Sequence, residues 1–320
     1  MDFHLLIDNL TNPALLFFFL GIIAVLFKSD LEIPSNSSKF ISLYLLFSIG
    51  FKGGQELAHS DFDMEIVWSL LFGIFLALVV PVYCFFILRK RLGVFNAGAI
   101  AAAYGSVSAV TFVTAVSFLE IQKIDFGGHM VAVMALMEAP SIIIGVLLMA
   151  LFAKGKGRKM SFAGLFAHSV TNGSVLLILG SLLIGFLASD QQAEGIKPFT
   201  TDIFKGFLAV FLLDMGITSG KKLSSFIKKG AFPFLFAIVV PLVNGTITAF
   251  VSRIITDDAG NRFLFAILAA SASYIAVPAA MKLAAPKANP GLYIPMALAI
   301  TFPFNITLGM PLYLFIIQMS

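Results

Sequence analysis

Few side chains in this sequence can do ionic chemistry away from water. Lys52, Glu138, Lys205 and Asp214 are the acidic and basic residues that fall clearly within long apolar stretches. Each costs ~2.5–3.5 kcal/mol to place at the centre of a membrane helix, so each calls for a partner or a role. Lys205 lies near the end of its stretch and can snorkel to the interface, and Lys52 in Gly50-Phe51-Lys52-Gly53-Gly54 is close enough to do the same. Asp214, in Leu213-Asp214-Met215-Gly216, is central; it is expected to face protein or water, pairing with Lys52 or lending oxygen to a cation. Glu138 stands two residues before Pro140, whose ring frees a backbone carbonyl, so oxygens for sodium or for a proton gather there. Thr301 and Asn305, on either side of Pro303, offer neutral oxygens at the corresponding depth of the last stretch.

Two hydroxylated clusters complete this set. Tyr104-Gly105-Ser106-Val107-Ser108 and Ala269-Ala270-Ser271-Ala272-Ser273 lie near the middle of their stretches, and Pro278 follows the second. Helices broken there would aim N-termini worth about +0.5 charge each at an anion, with Ser hydroxyls beside them. Unwound carbonyls would be free for a cation such as sodium. A seam of small residues that lets helices pack closely is the plainer alternative for either cluster alone.

The elements that must position these residues are membrane helices. The chain has 320 residues, 59% hydrophobic and 12% charged, where soluble domains carry about 25% charge. That excludes a water-soluble globule, and disorder and nucleic-acid binding with it. Ten apolar stretches are expected to be helices: 12–27, 39–57, 66–88, 95–119, 128–153, 169–188, 201–220, 231–252, 263–284 and 290–317. Most approach the ~20 residues that cross the hydrocarbon core, and none alternates with the period of a membrane strand. Lys and Arg collect on one side of this layout, at Arg89-Lys90-Arg91, Lys154 to Lys159, Lys221-Lys222 and Lys228-Lys229. That side is expected to be cytoplasmic, with both termini outside. No Lys or Arg precedes Lys28, so no cleaved signal peptide is expected. Cys84 is the one cysteine, which excludes an intrachain disulfide. Nucleotide-binding, zinc-protease, serine-hydrolase and EF-hand motifs are absent, and no enzymatic activity is expected. Asp61 and Asp63 read as a solvated loop.

The halves of the chain can be laid over each other. Leu20-Gly21 matches Leu179-Gly180; Gly50, Gly54 and Leu57 match Gly216, Gly220 and Leu223; Val79-Val80-Pro81 matches Val239-Val240-Pro241. Ser106-Val107-Ser108 matches Ser271-Ala272-Ser273, and Pro140 matches Pro303. Five spans per copy turn the second copy upside down, giving inverted repeats 1–153 and 169–320 joined by a short cytoplasmic linker, 154–168.

The sequence resembles the SbtA-type sodium-dependent bicarbonate transporters over nearly its whole length. The likeness rests on Tyr104 to Thr111, Leu136-Met137-Glu138-Ala139-Pro140, Thr171-Asn172-Gly173-Ser174, Phe211 to Gly216, Ala269 to Tyr274 and Ile300 to Asn305. It implies gate and core domains, a homotrimer, an inner (plasma) membrane location and sodium-coupled uptake of bicarbonate. Two residues depart from the family's pattern: Lys52 stands where a hydroxyl residue is usual, and Glu138 replaces an aspartate. The linker is also shorter than in the cyanobacterial members, which bind a PII-like regulatory protein on that side, and it lends such a partner no support here.

The expected anion site is therefore Gly105, Ser106, Val107, Ser108, Ser271, Ala272 and Ser273. Thr111, Glu138, Asp214, Thr301 and Asn305 are the expected oxygen ligands of sodium, the coupling ion, or hold those ligands in place. The residues leave open a sodium- or proton-coupled carrier of another small anion, such as a carboxylate. They also leave open a membrane sensor that binds the anion without moving it.

Overall fold

The computed structural model describes residues 3–60, 63–153 and 173–320. Linker residues 154–168, Asp61, Thr171 and Asn172 lie outside the described residues. The described chain is helical throughout: α1 Phe3–Leu10, α2 Pro13–Leu26, α3 Ser35–His59, α4 Met64–Leu92, α5 Val94–Gly105, α6 Ala109–Gln122 and α7 His129–Phe152. The second half supplies α8 Gly173–Leu187, α9 Asp190–Lys197, α10 Phe204–Ile227, α11 Ala231–Val251, α12 Ala259–Ala270 and α13 Ala276–Ala284. Last comes α14, Pro290–Met319, continuous but widened into π turns at Met296–Thr301 and Asn305–Gly309.

Among the described residues, six helical segments are long and apolar enough to cross a membrane: Met64–Leu92, Val94–Gln122, His129–Phe152, Asp190–Leu223, Ala231–Ile254 and Pro290–Met319. α2, α8 and α12 are shorter apolar helices. Sequence places the ends. Asp63 caps α4, accepting from the amides of Glu65 at 3.0 Å and Ile66 at 3.3 Å, and Arg89, Lys90 and Arg91 close its last turn. Carboxylate first and cations last is the order the helix dipole favours.

Two pairs of helices pack backbone to backbone. α2 lies on α10 and α3 lies on α8, each through glycine. A Cβ added at Gly216 would come within 2.0 Å of the Phe18 carbonyl oxygen, and one at Gly54 within 2.1 Å of the Leu182 oxygen. No side chain fits at either place, and close approach of this kind replaces the hydrophobic drive that lipid does not supply. Elsewhere α4 packs on α5 and α7, while α11 packs on α12 and α14. Pro81 and Pro241 fall inside α4 and α11; the Pro81 ring packs against Gly105, and the Pro241 carbonyl accepts from the Tyr313 hydroxyl at 3.1 Å.

Candidate functional site

Both hydroxylated clusters interrupt a helix. α5 ends at Gly105 and α6 begins at Ala109; α12 ends at Ala270 and α13 begins at Ala276. Ser106 and Ser271 occupy the residue after each first half, both in extended conformation. Pro278 lies in the first turn of α13, where its missing amide interrupts no intrahelical bond.

The two interruptions cross and are hydrogen-bonded to each other. The Ser108 amide donates to Ser271 Oγ at 3.0 Å, and the Ser273 amide donates to the Ala103 carbonyl at 2.8 Å. Each also caps the helix that follows: Ser108 Oγ accepts from the Thr111 amide at 3.1 Å, and Ser273 Oγ from the Val277 amide at 3.3 Å. The end of α12 is tied down by side-chain amides. Asn305 Nδ2 donates to the Ala270 carbonyl at 2.8 Å and Asn244 Nδ2 to the Ala269 carbonyl at 3.1 Å, while the Tyr83 hydroxyl donates to Asn244 Oδ1. Asn244 was not among the expected residues; the one signal for it was a polar amide inside an apolar stretch, three residues after Pro241.

A narrow cleft of about 30 Å³ lies beside the two breaks. Val107, Ser108, Ser273 and Tyr274 line one side, together with Ala109 and Ala276, the first residues of α6 and α13. Glu138, Ala135 and Met134 of α7 line another, and Ser42 and Leu46 of α3 with Ser174 and Ile178 of α8 close it. Two helix N-termini thus meet one space whose lining, among the described residues, carries no Lys or Arg and a single carboxylate, Glu138. Ser42 and Ser174 were missed because a lone serine in an apolar helix looks the same whether it faces a cleft or a neighbour.

The remaining expected residues divide by their partners. Gly105 is pressed against Pro81, and Ala272 is buried. Ser106 Oγ, Thr111 Oγ1 and Asn305 Oδ1 are buried oxygens with no hydrogen-bond partner. Oxygens left in that state suit a hard cation, and α6 packs on the Asn305–Gly309 turn that carries one of them. Thr301 is occupied otherwise: its hydroxyl donates to the Ala237 carbonyl at 2.7 Å and meets the Tyr104 hydroxyl at 2.8 Å. Asp214 is 8% exposed, accepts from the Ser38 hydroxyl of α3, and is not among the residues lining the cleft. Among the described residues no group of three or more His, Cys, Asp or Glu is placed to hold a metal ion.

The expected pairing of Lys52 with Asp214 is corrected. Lys52 Nζ lies 2.5 Å from Glu120 Oε1, and Glu120 Oε2 lies 3.9 Å from Lys205 Nζ. The reason is distance along the helix, because Ser38, the partner of Asp214, is roughly 21 Å down α3 from Lys52 at 1.5 Å per residue. Lys205 is 61% exposed, in keeping with a snorkelling lysine. Outside the spans, Asp258 caps α12 through the Asn261 amide at 2.7 Å; burial raises its carboxyl, and the amides of Asn261 and Gly260 pull it back.

An all-helical chain with several apolar membrane-length segments, built around two interrupted helices that cross, is a multi-pass membrane protein. The chain belongs to the Na+-dependent bicarbonate transporter superfamily, whose sequence profile matches residues 13–318. No curated protein matches the chain.

Proposed function

We propose that the chain is a secondary active transporter that couples sodium to the uptake of bicarbonate by alternating access. The observation that carries this reading is the crossing of the two helix breaks, which sets the first residues of α6 and α13 on one cleft. Bicarbonate is planar, singly charged and rich in acceptors, so first-turn amides with the Ser108 and Ser273 hydroxyls can bind it. The cleft needs no Arg or Lys for that, and its described lining residues include none. Release is correspondingly easy.

Glu138 gives the coupling a physical basis. A carboxylate in the same cleft repels an anion, and a sodium ion beside it removes the repulsion. Ser106, Thr111 and Asn305 supply buried neutral oxygens for that ion, and Glu138 is its countercharge. Thr301 and Asp214 then hold neighbouring helices rather than the ion, through Ala237 and Ser38. A proton on Glu138 is the second reading, favoured by the lack of a Lys or Arg partner for it among the described lining residues.

The ten-span layout belongs to this proposal. α2, α3, α4, α5 with α6, and α7 form one repeat; α8, α10, α11, α12 with α13, and α14 form its inverted copy. α2, α3, α8 and α10 make the gate and the rest the core, in a homotrimer in the inner membrane with both termini outside.

Binding measurements on purified protein test the proposal. Sodium should raise bicarbonate affinity, and bicarbonate should raise sodium affinity by the same factor. Bicarbonate binding equal in sodium and in choline, but rising as pH falls, would favour the proton.

A further inference from the structure

We infer that the cleft and a second cavity are the two ends of one path along α3 and α6, and that Leu46, Ile49 and Val113 form the apolar barrier between them. This rests on the proposed transport function and adds the residues that keep it coupled. Three observations carry it.

First, a cavity of about 300 Å³ lies on α3 and α6 beyond the cleft. Lys52 and Glu56 of α3 and Glu120 of α6 line it, with Lys123 and Asp125 of the connection to α7. Glu56, Lys123 and Asp125 are exposed, so this end meets water. Charged groups lining a space of that size keep it wet, because an apolar filling would leave them unsolvated. The cleft is narrower, at about 30 Å³, yet exceeds the ~10–15 Å³ that one water needs, and Ser42, Ser108 and Glu138 give that water partners.

Second, the two spaces share their walls. On α3 the cleft takes Ser42 and Leu46 and the cavity takes Ile49, Lys52 and Glu56, spaced so that all lie on one face. On α6 the cleft takes Ala109 and the cavity takes Val116 and Glu120, again on one face. The charges stand on the outer turns of both helices, and Ile49 and Val116 on the turns nearest the cleft.

Third, what separates the spaces is thin and apolar. Leu46 and Ile49 are roughly 5 Å apart along α3, and Ala109 and Val116 roughly 10 Å apart along α6, against ~30 Å of hydrocarbon. Val113 falls on the same face of α6, between them. Leu46, Ile49 and Val113 are buried and belong to one packed cluster with Val116 and with Val131 and Met134 of α7. Val131 closes the third side, since a Cβ on Gly53 would come within 2.5 Å of its side chain. None of these side chains offers water or an ion a partner, and a constriction of that kind blocks by dewetting. A coupled carrier needs such a block, because a wet path joining both ends would dissipate the sodium gradient.

Sodium leak tests the barrier. Labelled sodium is loaded into proteoliposomes and its efflux followed in bicarbonate-free buffer, where a coupled carrier has no cargo to move with it. Val113→Thr keeps the shape of the side chain and adds a hydroxyl; Ile49→Thr adds one on α3 with a slightly smaller side chain. Each should raise efflux about ten-fold above the parent. Val146→Thr, the same change at a buried site in a separate apolar cluster, should leave efflux at the parent rate. Bicarbonate uptake driven by a sodium gradient is measured in the parent alongside. If Val113→Thr and Ile49→Thr leak no more than the parent, or Val146→Thr leaks as much as they do, the barrier is overturned; gradient-driven uptake in the parent then leaves the transport reading standing. Leak in the two barrier variants without such uptake in the parent supports the barrier and sinks the transport reading. Parent-like efflux in both variants together with no uptake overturns both.

Discussion

The buried oxygens without partners are the residues whose substitution says most. Thr111→Val keeps the shape of a side chain whose hydroxyl makes no hydrogen bond. If that hydroxyl only packs, removing it should be neutral or stabilising, since an unsatisfied buried polar group is lost. If it holds sodium, the variant should be as stable as the parent without sodium but lose sodium-induced stabilisation, which for the parent reaches about 2.7 kcal/mol at one hundred times Kd. Thermal unfolding with and without sodium checks this. Ser108→Ala does two things at once. It removes the cap of α6, worth ~1 kcal/mol, and a hydroxyl lining the cleft, so bicarbonate affinity should fall about ten-fold while sodium binding survives. Wild-type bicarbonate affinity in that variant would contradict the placement of the anion. At this scale the sequence showed which side chains were unusual but not whom they met. Lys52 and Asp214 looked like partners because each was a lone charge in an apolar stretch, yet Glu120, at a span end and so unremarkable, is the residue Lys52 reaches. Thr301 looked like an oxygen without a partner, and its hydroxyl bonds Ala237 and Tyr104, both distant in sequence.

Elements were more legible, because helix breaks and helix contacts write themselves locally. Tyr104 to Ser108 and Ala269 to Ser273 signalled interruptions by their small and hydroxylated residues, and both segments leave the helix there. What the sequence could not carry was the contact between them: nothing local specifies that the Ser108 amide meets Ser271. The extra helix α9 was missed because its composition is polar, although Ser189 and Gln192 form a capping box that marks its start. Glycines show the same limit. Gly21 and Gly180 match in the sequence overlay, yet Gly21 lies against the Leu213 carbonyl and Gly180 has open space. Two substitutions separate these roles. Gly54→Ala should destabilise the protein by about 1–3 kcal/mol, since the added methyl meets the Leu182 carbonyl with nowhere to move. Gly180→Ala should be neutral or stabilising by up to about 1 kcal/mol through helix propensity. Unfolding midpoints in one detergent compare the pair, and equal midpoints would contradict backbone-to-backbone packing of α3 on α8.

The whole molecule is read from two asymmetries. One is electrical: Lys and Arg cluster at one set of loops, which was legible in the sequence and predicts a cytoplasmic side. The other is one of packing and was not legible, since it needs the helices placed: α2 with α10 and α3 with α8 meet backbone to backbone through glycine, and the cleft near Ser42 lies where α3 and α8 face α7. The proposed orientation puts the Ser42 end of α3, near Lys39, on the cytoplasmic side. Impermeant maleimide should therefore reach Ser42→Cys in inverted membrane vesicles and not in intact cells. Under the proposal bicarbonate is the cargo, and the cleft, with two helix N-termini and one carboxylate among its described residues, supplies a reason for it to need a cation. The most direct test is uptake of labelled bicarbonate into proteoliposomes at fixed pH, with an inward sodium gradient imposed and then collapsed by a sodium ionophore. Accumulation above the equilibrium level that disappears with the gradient is the predicted result. Equal uptake when choline replaces sodium, or no uptake under either condition, would contradict the account.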